Sequence, residues 1–278
     1  MKLPNLSYMM SVGELRYIQS HFEKGEDRNP DSAVGMFLPL SKRIRCVLRG
    51  TVFLARVRSN PFYYYVNART KYYDEVFLDA IRSSFKHIIN LGCGSDTRAY
   101  RFADLLREKG IVVLECDQGE AIRAKEHIAR RKSSTTQVRY LSIDLDVGNW
   151  PSLAGYLDDN AKGSMLVMLE GVSPYIGEAS FKTFLQLLAH KLHPGSVVAY
   201  DFKLRGVADE FGGSNKAQPR FRLPGDEPEV AAFHRAIGLE LKHMELSTGL
   251  LQRFHPGAAT SFQEDCLVRL SIARPINS

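Results

Sequence analysis

The chain has 278 residues, of which 44% are hydrophobic, 24% charged and 10% aromatic, a balance that excludes a disordered, collagenous or coiled-coil polypeptide and leaves a globular fold of one or two domains. Its 37 Lys and Arg against 31 Asp and Glu give a net charge of +6, which favours an acidic substrate or partner surface but falls short of the cationic clustering of a nucleic-acid binder. No apolar run approaches the roughly 18 residues that span a bilayer, and Met1-Lys2-Leu3-Pro4-Asn5 opens no secretory signal, so a cytoplasmic location is expected.

Residues 1–80 read as an N-terminal helical cap. From Ser41 to Arg58, Ile44, Leu48 and Val52 fall four apart while Lys42, Arg45, Arg49 and Arg56 follow spacings of three, four and seven, as in an amphipathic helix. Its basic face admits three readings: a solvated surface, a docking surface for an acidic carrier protein or acidic substrate, and a helix lying on a membrane. A second helical pattern runs from about Tyr64 to Ser83, with Tyr72, Val76, Leu78, Ile81 and Phe85 as its buried stripe.

After Lys86, short apolar runs alternate with helical patterns, the rhythm of βαβ units and a parallel sheet. The expected strands are His87–Leu91, Ile111–Asp117, Gln137–Ser142, Met165–Leu169 and Ser196–Phe202, then the pair Leu239–Leu246 and Glu264–Ala273. Thr97–Lys109, Glu120–Arg131, Pro151–Leu157, Glu178–Leu192 and Glu227–Ala236 supply helices. The count predicts an α/β core over 81–278, with a seven-stranded mixed sheet, helices on both faces and ligand beyond the carboxyl ends of the strands. Gly206 to Glu229, rich in Gly and Pro, reads as a lid loop over those ends. Cys46, Cys93, Cys116 and Cys266 form no C-x-x-C pair and have no nearby His at ligand spacing, so neither a disulfide framework nor a metal site is expected.

The sharpest signal is His87-Ile88-Ile89-Asn90-Leu91-Gly92-Cys93-Gly94-Ser95-Asp96-Thr97-Arg98, an apolar strand that ends in G-x-G and opens a helix. Two glycines let backbone approach a ligand closely, and a helix N-terminus offers N–H groups to negative charge. The next strand ends in Glu115-Cys116-Asp117, which places an acid for ribose hydroxyls. A dinucleotide site would carry a third glycine at position 97; Thr97 stands there, which leaves NAD as the runner-up.

The string Asn90-Leu91-Gly92-Cys93-Gly94-Ser95-Asp96-Thr97-Arg98-Ala99-Tyr100-Arg101 resembles the N-L-G-x-G-x-D-T-R-x-Y-R signature of the leucine carboxyl methyltransferase family. Further elements recur in order: Ala68-Arg69-Thr70 with Asp74, then Glu115-Cys116-Asp117, Asp144-Leu145, and Glu170-Gly171-Val172-Ser173-Pro174-Tyr175. The family includes the enzyme that methylates the C-terminal leucine of a protein phosphatase and bacterial O-methyltransferases of polyketide and peptide biosynthesis. The resemblance implies a class I methyltransferase core of Rossmann-like type and S-adenosyl-L-methionine as cofactor. Carried over, Arg69 would pair with the methionine carboxylate. Gly92, Cys93 and Gly94 would permit close approach, and Asp117 would hold the ribose. Asp144 and Leu145 would flank the adenine, and Glu170 would sit near the methionine ammonium. The stretch after Asp117 departs from the family, with Gln118-Gly119-Glu120 where many members have proline.

An acceptor carboxylate is already ionised at neutral pH and needs no base, whereas a hydroxyl benefits from one, for which Glu170, Tyr175, His255 and Asp201 are candidates. Trp150, the only tryptophan, is read as a packing residue, with stacking on adenine or acceptor as the alternative. The function implied is O-methylation of a hydroxyl or carboxylate on a small-molecule natural-product intermediate, free or carrier-bound, with no nucleic acid involved. The alternatives are carboxyl methylation of a protein C-terminus and a non-catalytic cofactor-binding scaffold.

Overall fold

In the N-terminal third, small and polar residues decide which way the helices face. The computed structural model describes residues 10–83, 85–132, 137–147, 150–207, 219–258 and 262–273. Helix α1 (Val12–Phe22) opens on a capping box in which the Ser11 side chain and Glu14 satisfy each other's backbone N–H groups. The helix expected over 41–58 is two, α2 (Leu40–Val52) and α3 (Leu54–Arg58), joined at Phe53.

Their facing corrects the sequence expectation. Cys46, Arg49 and Gly50 turn inward, while Leu40, Ile44, Val47, Leu48 and Val52 are exposed. The reason lies in α1. Gly50 sits against the Phe22 ring so closely that a Cβ there would stand 2.3 Å from it, and buried Glu14 draws Arg45 to 2.8 Å and Lys42 to 3.8 Å. An uncompensated buried carboxylate costs several kcal/mol, so Arg49 packs inward toward Glu14 while Lys42 and Arg45 reach it from the rim with side chains 41% and 48% exposed, and the apolar side faces out. Helix α4 (Pro61–Arg82), started by Pro61 and capped by Asn60, behaves as expected: Tyr72, Val76 and Ile81 are buried in one cluster with strand residues Ile88, Leu166 and Met168.

The strands are β1 (His87–Leu91), β2 (Val112–Asp117), β3 (Val138–Ser142), β4 (Met165–Leu169), β5 (Val197–Leu204), β6 (Arg222–Leu223), β7 (Leu239–Leu246) and β8 (Asp265–Ile272). They run in the order β3-β2-β1-β4-β5-β8-β7, parallel through β5, with β8 antiparallel between β5 and β7. Among the described residues the sheet has eight strands rather than the seven expected. β5 extends past the end of β4, and β6 pairs with its last residues, Lys203 and Leu204.

Alternation builds two layers. Ile89, Leu91, Val167, Leu169 and Tyr200 point to one face. Their odd-numbered or even-numbered neighbours Ile88, Val113, Leu166 and Met168 point to the other. The helix expected over Thr97–Lys109 breaks at Phe102 into α5 (Arg98–Arg101) and α6 (Ala103–Lys109). α7 (Gly119–Lys132), α8 (Pro151–Asp159), α9 (Glu178–Lys191) and α10 (Glu227–Arg235) lie within two residues of their expected bounds. α11 (Ser247–Phe254), between β7 and β8, was not anticipated. α8, α9 and α10 cover the first face, while α4, α6 and α11 cover the second. Of the anticipated lid, 206–229, residues 208–218 lie outside the described residues, while 222–223 form β6 and Glu227 opens α10. No helix among the described residues is long and apolar enough to cross a membrane.

Candidate functional site

Strand order reverses between β1 and β4, and the motif residues gather at the carboxyl ends of the strands beside that switch point. Gly92 (φ +63°) and Gly94 (φ +40°) make the turn after β1, a left-handed geometry that disfavours a side chain. A Cβ on Gly92 would also stand 2.4 Å from a Val172 methyl. Buried Cys93 holds the turn through its backbone: its N–H donates to Cys116 O at 3.0 Å and its carbonyl accepts from Lys125 Nζ at 3.3 Å. The Asp117 carboxylate, at the end of β2, accepts from Gly94 N at 2.8 Å and Gln118 N at 2.8 Å. Contrary to expectation, the short α5 presents no free first N–H, because Asp96 accepts the Arg98 N–H at 2.8 Å.

A cleft of about 500 Å³ runs from this turn over the ends of β2, β3 and β4, lined by Gly92, Asp117, Asp144, Leu145, Gly171 and Tyr175 among others. Asp144 is held in a tight turn, accepting from Asp146 N at 3.0 Å, and its carbonyl takes the Trp150 indole N–H at 2.9 Å. Trp150 is buried edge-on against Phe184, so it packs and does not line the cleft. The neighbouring 148–149 lie outside the described residues.

A second cavity, about 370 Å³, adjoins it. Met10, Val12, Phe62 and Pro174 give it apolar walls, and Arg69, Asp201, Lys203 and Asp265 give it charge; Gly171 and Tyr175 line both cavities. Behind their junction lies a buried ionic knot. Glu170 pairs with Arg16 of α1, with Arg98 Nη1 at 2.8 Å and with Arg69 Nε at 3.3 Å. Arg69 also reaches Asp201 Oδ2 at 3.2 Å, and Arg98 reaches Asp74 at 2.7 Å and Asp96. Burial pushes the Glu170 carboxyl up, but Arg16, Arg98 and Arg69 outweigh it and hold it below the usual range. Asp201 is different: burial raises it to about 6 against the pull of Arg69, while its Oδ1 accepts from Gly171 N at 2.6 Å and Tyr73 Oη at 3.1 Å.

These placements sort the candidates. Arg69, Gly92, Asp117, Asp144, Leu145, Tyr175 and Asp201 line the paired cavities. Glu170 is neutralised by three guanidiniums, the opposite of what a proton acceptor needs. His255 is displaced altogether. The unanticipated α11 carries it to a separate cavity with Glu26, Asp27 and Tyr64, where its Nδ1 meets Asp27 Oδ1 at 3.0 Å. Sequence reasoning assigned no role to Arg16, Arg98 or Lys203. Arg98 stood in the D-T-R string, where an arginine two residues after an acid signals a local ion pair; Arg16 and Lys203 carry no local signal.

The sequence profile of the leucine carboxyl methyltransferase family matches residues 48–189. Among curated proteins, the chain is 31% identical over 158 residues to one from Mycobacteroides abscessus described as "Putative S-adenosyl-L-methionine-dependent methyltransferase", covering 55% of this chain and 51% of that protein. It is 34% identical over 145 residues to a protein of the same description from Mycobacterium ulcerans, covering 51% and 45%. The chain spans about half the length of the curated relatives it matches. Among solved structures, that of a SAM dependent methyltransferase from Aquifex aeolicus aligns at TM-score 0.47 with 15% identity, over 72% of this chain and 89% of that one.

Proposed function

The chain belongs to the leucine carboxyl methyltransferase family, and from that premise we propose that it is an S-adenosylmethionine-dependent O-methyltransferase acting on a hydroxyl or carboxylate of a small-molecule intermediate, of the polyketide or peptide type. The observation that carries this reading is the meeting of two cavities at Gly171 and Tyr175, which suits a donor in one and an acceptor in the other.

The residues present fit the cofactor. The glycine turn leaves room that a Cβ on Gly92 would take, and Arg69, held by Glu170 at 3.3 Å and Asp201 at 3.2 Å while it lines the second cavity, turns a guanidinium toward a ligand carboxylate. Asp117 keeps lone pairs for ribose hydroxyls beyond the two it gives to backbone N–H groups. Asp144 receives the adenine amine, and Leu145 packs on the ring. Glu170 is reassigned from ammonium partner to anchor of Arg69, because three guanidiniums already surround it.

Bound there, the cofactor supplies an activated methyl group on a cationic sulfur. The chain supplies alignment of an acceptor oxygen against it, in which proximity carries much of the rate. The walls formed by Met10, Val12, Phe62 and Pro174 exclude water from the acceptor side. A hydroxyl acceptor loses its proton to Asp201, which is mostly ionised at neutral pH; a carboxylate acceptor needs no such step. Incubation with methyl-labelled cofactor and a panel of small carboxylates and phenols tests the reading. Label transferred to a small acceptor is expected, and transfer only to a protein C-terminus, or to nothing, contradicts it.

A further inference from the structure

The outward face of α2 has no partner in the fold. Leu40, Ile44, Val47, Leu48 and Val52 recur at i, i+4, i+7, i+8 and i+12 and continue into Phe53. Each is between 42% and 64% exposed. A stripe of this size on the solvent side is not accounted for by packing, since the inward side of the same helix is occupied by Cys46, Arg49 and Gly50.

Charge says what covers it. Arg43 and Arg45 border the stripe on opposite sides. No Asp or Glu occurs between Asp31 and Asp74, a stretch that holds 8 Lys and Arg. The facing acids come from α1 and its end: Glu14 pairs with Lys42, Arg45 and Arg49, and Glu23 with Arg58. Arg43 has no carboxylate within ion-pair distance among the described residues, so cations remain in excess around the stripe.

We propose that α2 docks on an anionic lipid surface, lying in the plane of the interface with Ile44, Leu48 and Val52 inserted and Arg43 and Arg45 at headgroup level. An apolar ridge with cations along both borders is the arrangement that binds such a surface in-plane. A second copy of the chain fits less well, because a symmetric contact through this ridge would set arginine borders against each other. This inference does not depend on the reaction proposed above.

Co-sedimentation of the full chain with vesicles tests it, using phosphatidylcholine alone and phosphatidylcholine with about a third phosphatidylglycerol. The expected result is binding at least about 10-fold tighter to the anionic vesicles, weakened by salt. The exposed double substitution Ile44→Glu with Leu48→Glu abolishes it while melting temperature and affinity for S-adenosylhomocysteine stay unchanged. If that variant melts early, Val47→Ser with Val52→Ser on the same stripe is read instead. Three results overturn the proposal: no preference for anionic vesicles, a dimer in sedimentation velocity that the double variant dissociates, or retention by a purified acidic carrier protein without vesicle binding.

Discussion

The backbone N–H of Gly94 donates to Asp117 Oδ2 at 2.8 Å, so the acid at the end of β2 both shapes the glycine turn after β1 and borders the cleft beside it. Substituting Asp117 by Ala removes charge-assisted acceptors for the ribose and is expected to weaken S-adenosylhomocysteine binding by about 1–3 kcal/mol. Calorimetry of the variant checks this, with its melting temperature as a control on the turn; unchanged affinity takes Asp117 out of the site.

Arg98 is 1% exposed and contacts three carboxylates, those of Asp74, Asp96 and Glu170. Arg98→Met leaves them short of a cation in the interior and is expected to cost about 3–5 kcal/mol. A urea midpoint within error of the parent's contradicts the knot as a structural element.

His234 is fully buried, with Nε2 at 2.7 Å from Tyr200 Oη and Nδ1 at 2.6 Å from Val230 O. Burial lowers its pKa to about 4, only partly offset by the Val230 carbonyl. The unfolded chain takes up a proton near pH 6.5 and the folded one only near pH 4, so this residue's contribution is intact above 6.5 and is lost as pH falls through that window, on the order of 3 kcal/mol. His234→Phe should flatten the stability profile there. An unchanged slope contradicts the burial argument.

Asp201 faces Arg69, Tyr73, Gly171, Glu170 and Asp265, and its carboxyl is raised to about 6. With a hydroxyl acceptor, kcat/KM should fall as pH drops below about 6, and Asp201→Asn should remove that limb and about 10²-fold or more of the rate. With a carboxylate acceptor neither effect is expected. Folding carries the opposite sign from His234: between pH 4 and 6 the folded state holds the extra proton, so stability from Asp201 falls as pH rises.

The parts of the fold that were legible in sequence are those whose signal is local. β1 and β4 match their expected bounds because short apolar runs there end in turns or polar residues, and β7 because its apolar and polar residues largely alternate. β6 is two residues long and exists only because β5 overhangs its neighbour. The periodicity of α2 announced an amphipathic helix but not which side packs; that depends on Phe22 and on Glu14, which lies 31 residues before its partner Arg45 in another helix. The glycine turn and the acids after β2 and β3 were readable for the same local reason. The Glu170 knot was not, since Arg16 lies 154 residues and Arg98 lies 72 residues from it in sequence. His255 was misplaced because the intervening α11 left no strong pattern.

We propose that S-adenosylmethionine binds across the ends of β1, β2 and β3, and calorimetric titration with S-adenosylhomocysteine, run beside NAD, tests this. Saturable 1:1 binding of S-adenosylhomocysteine alone is expected; binding of NAD alone, or of neither, contradicts it.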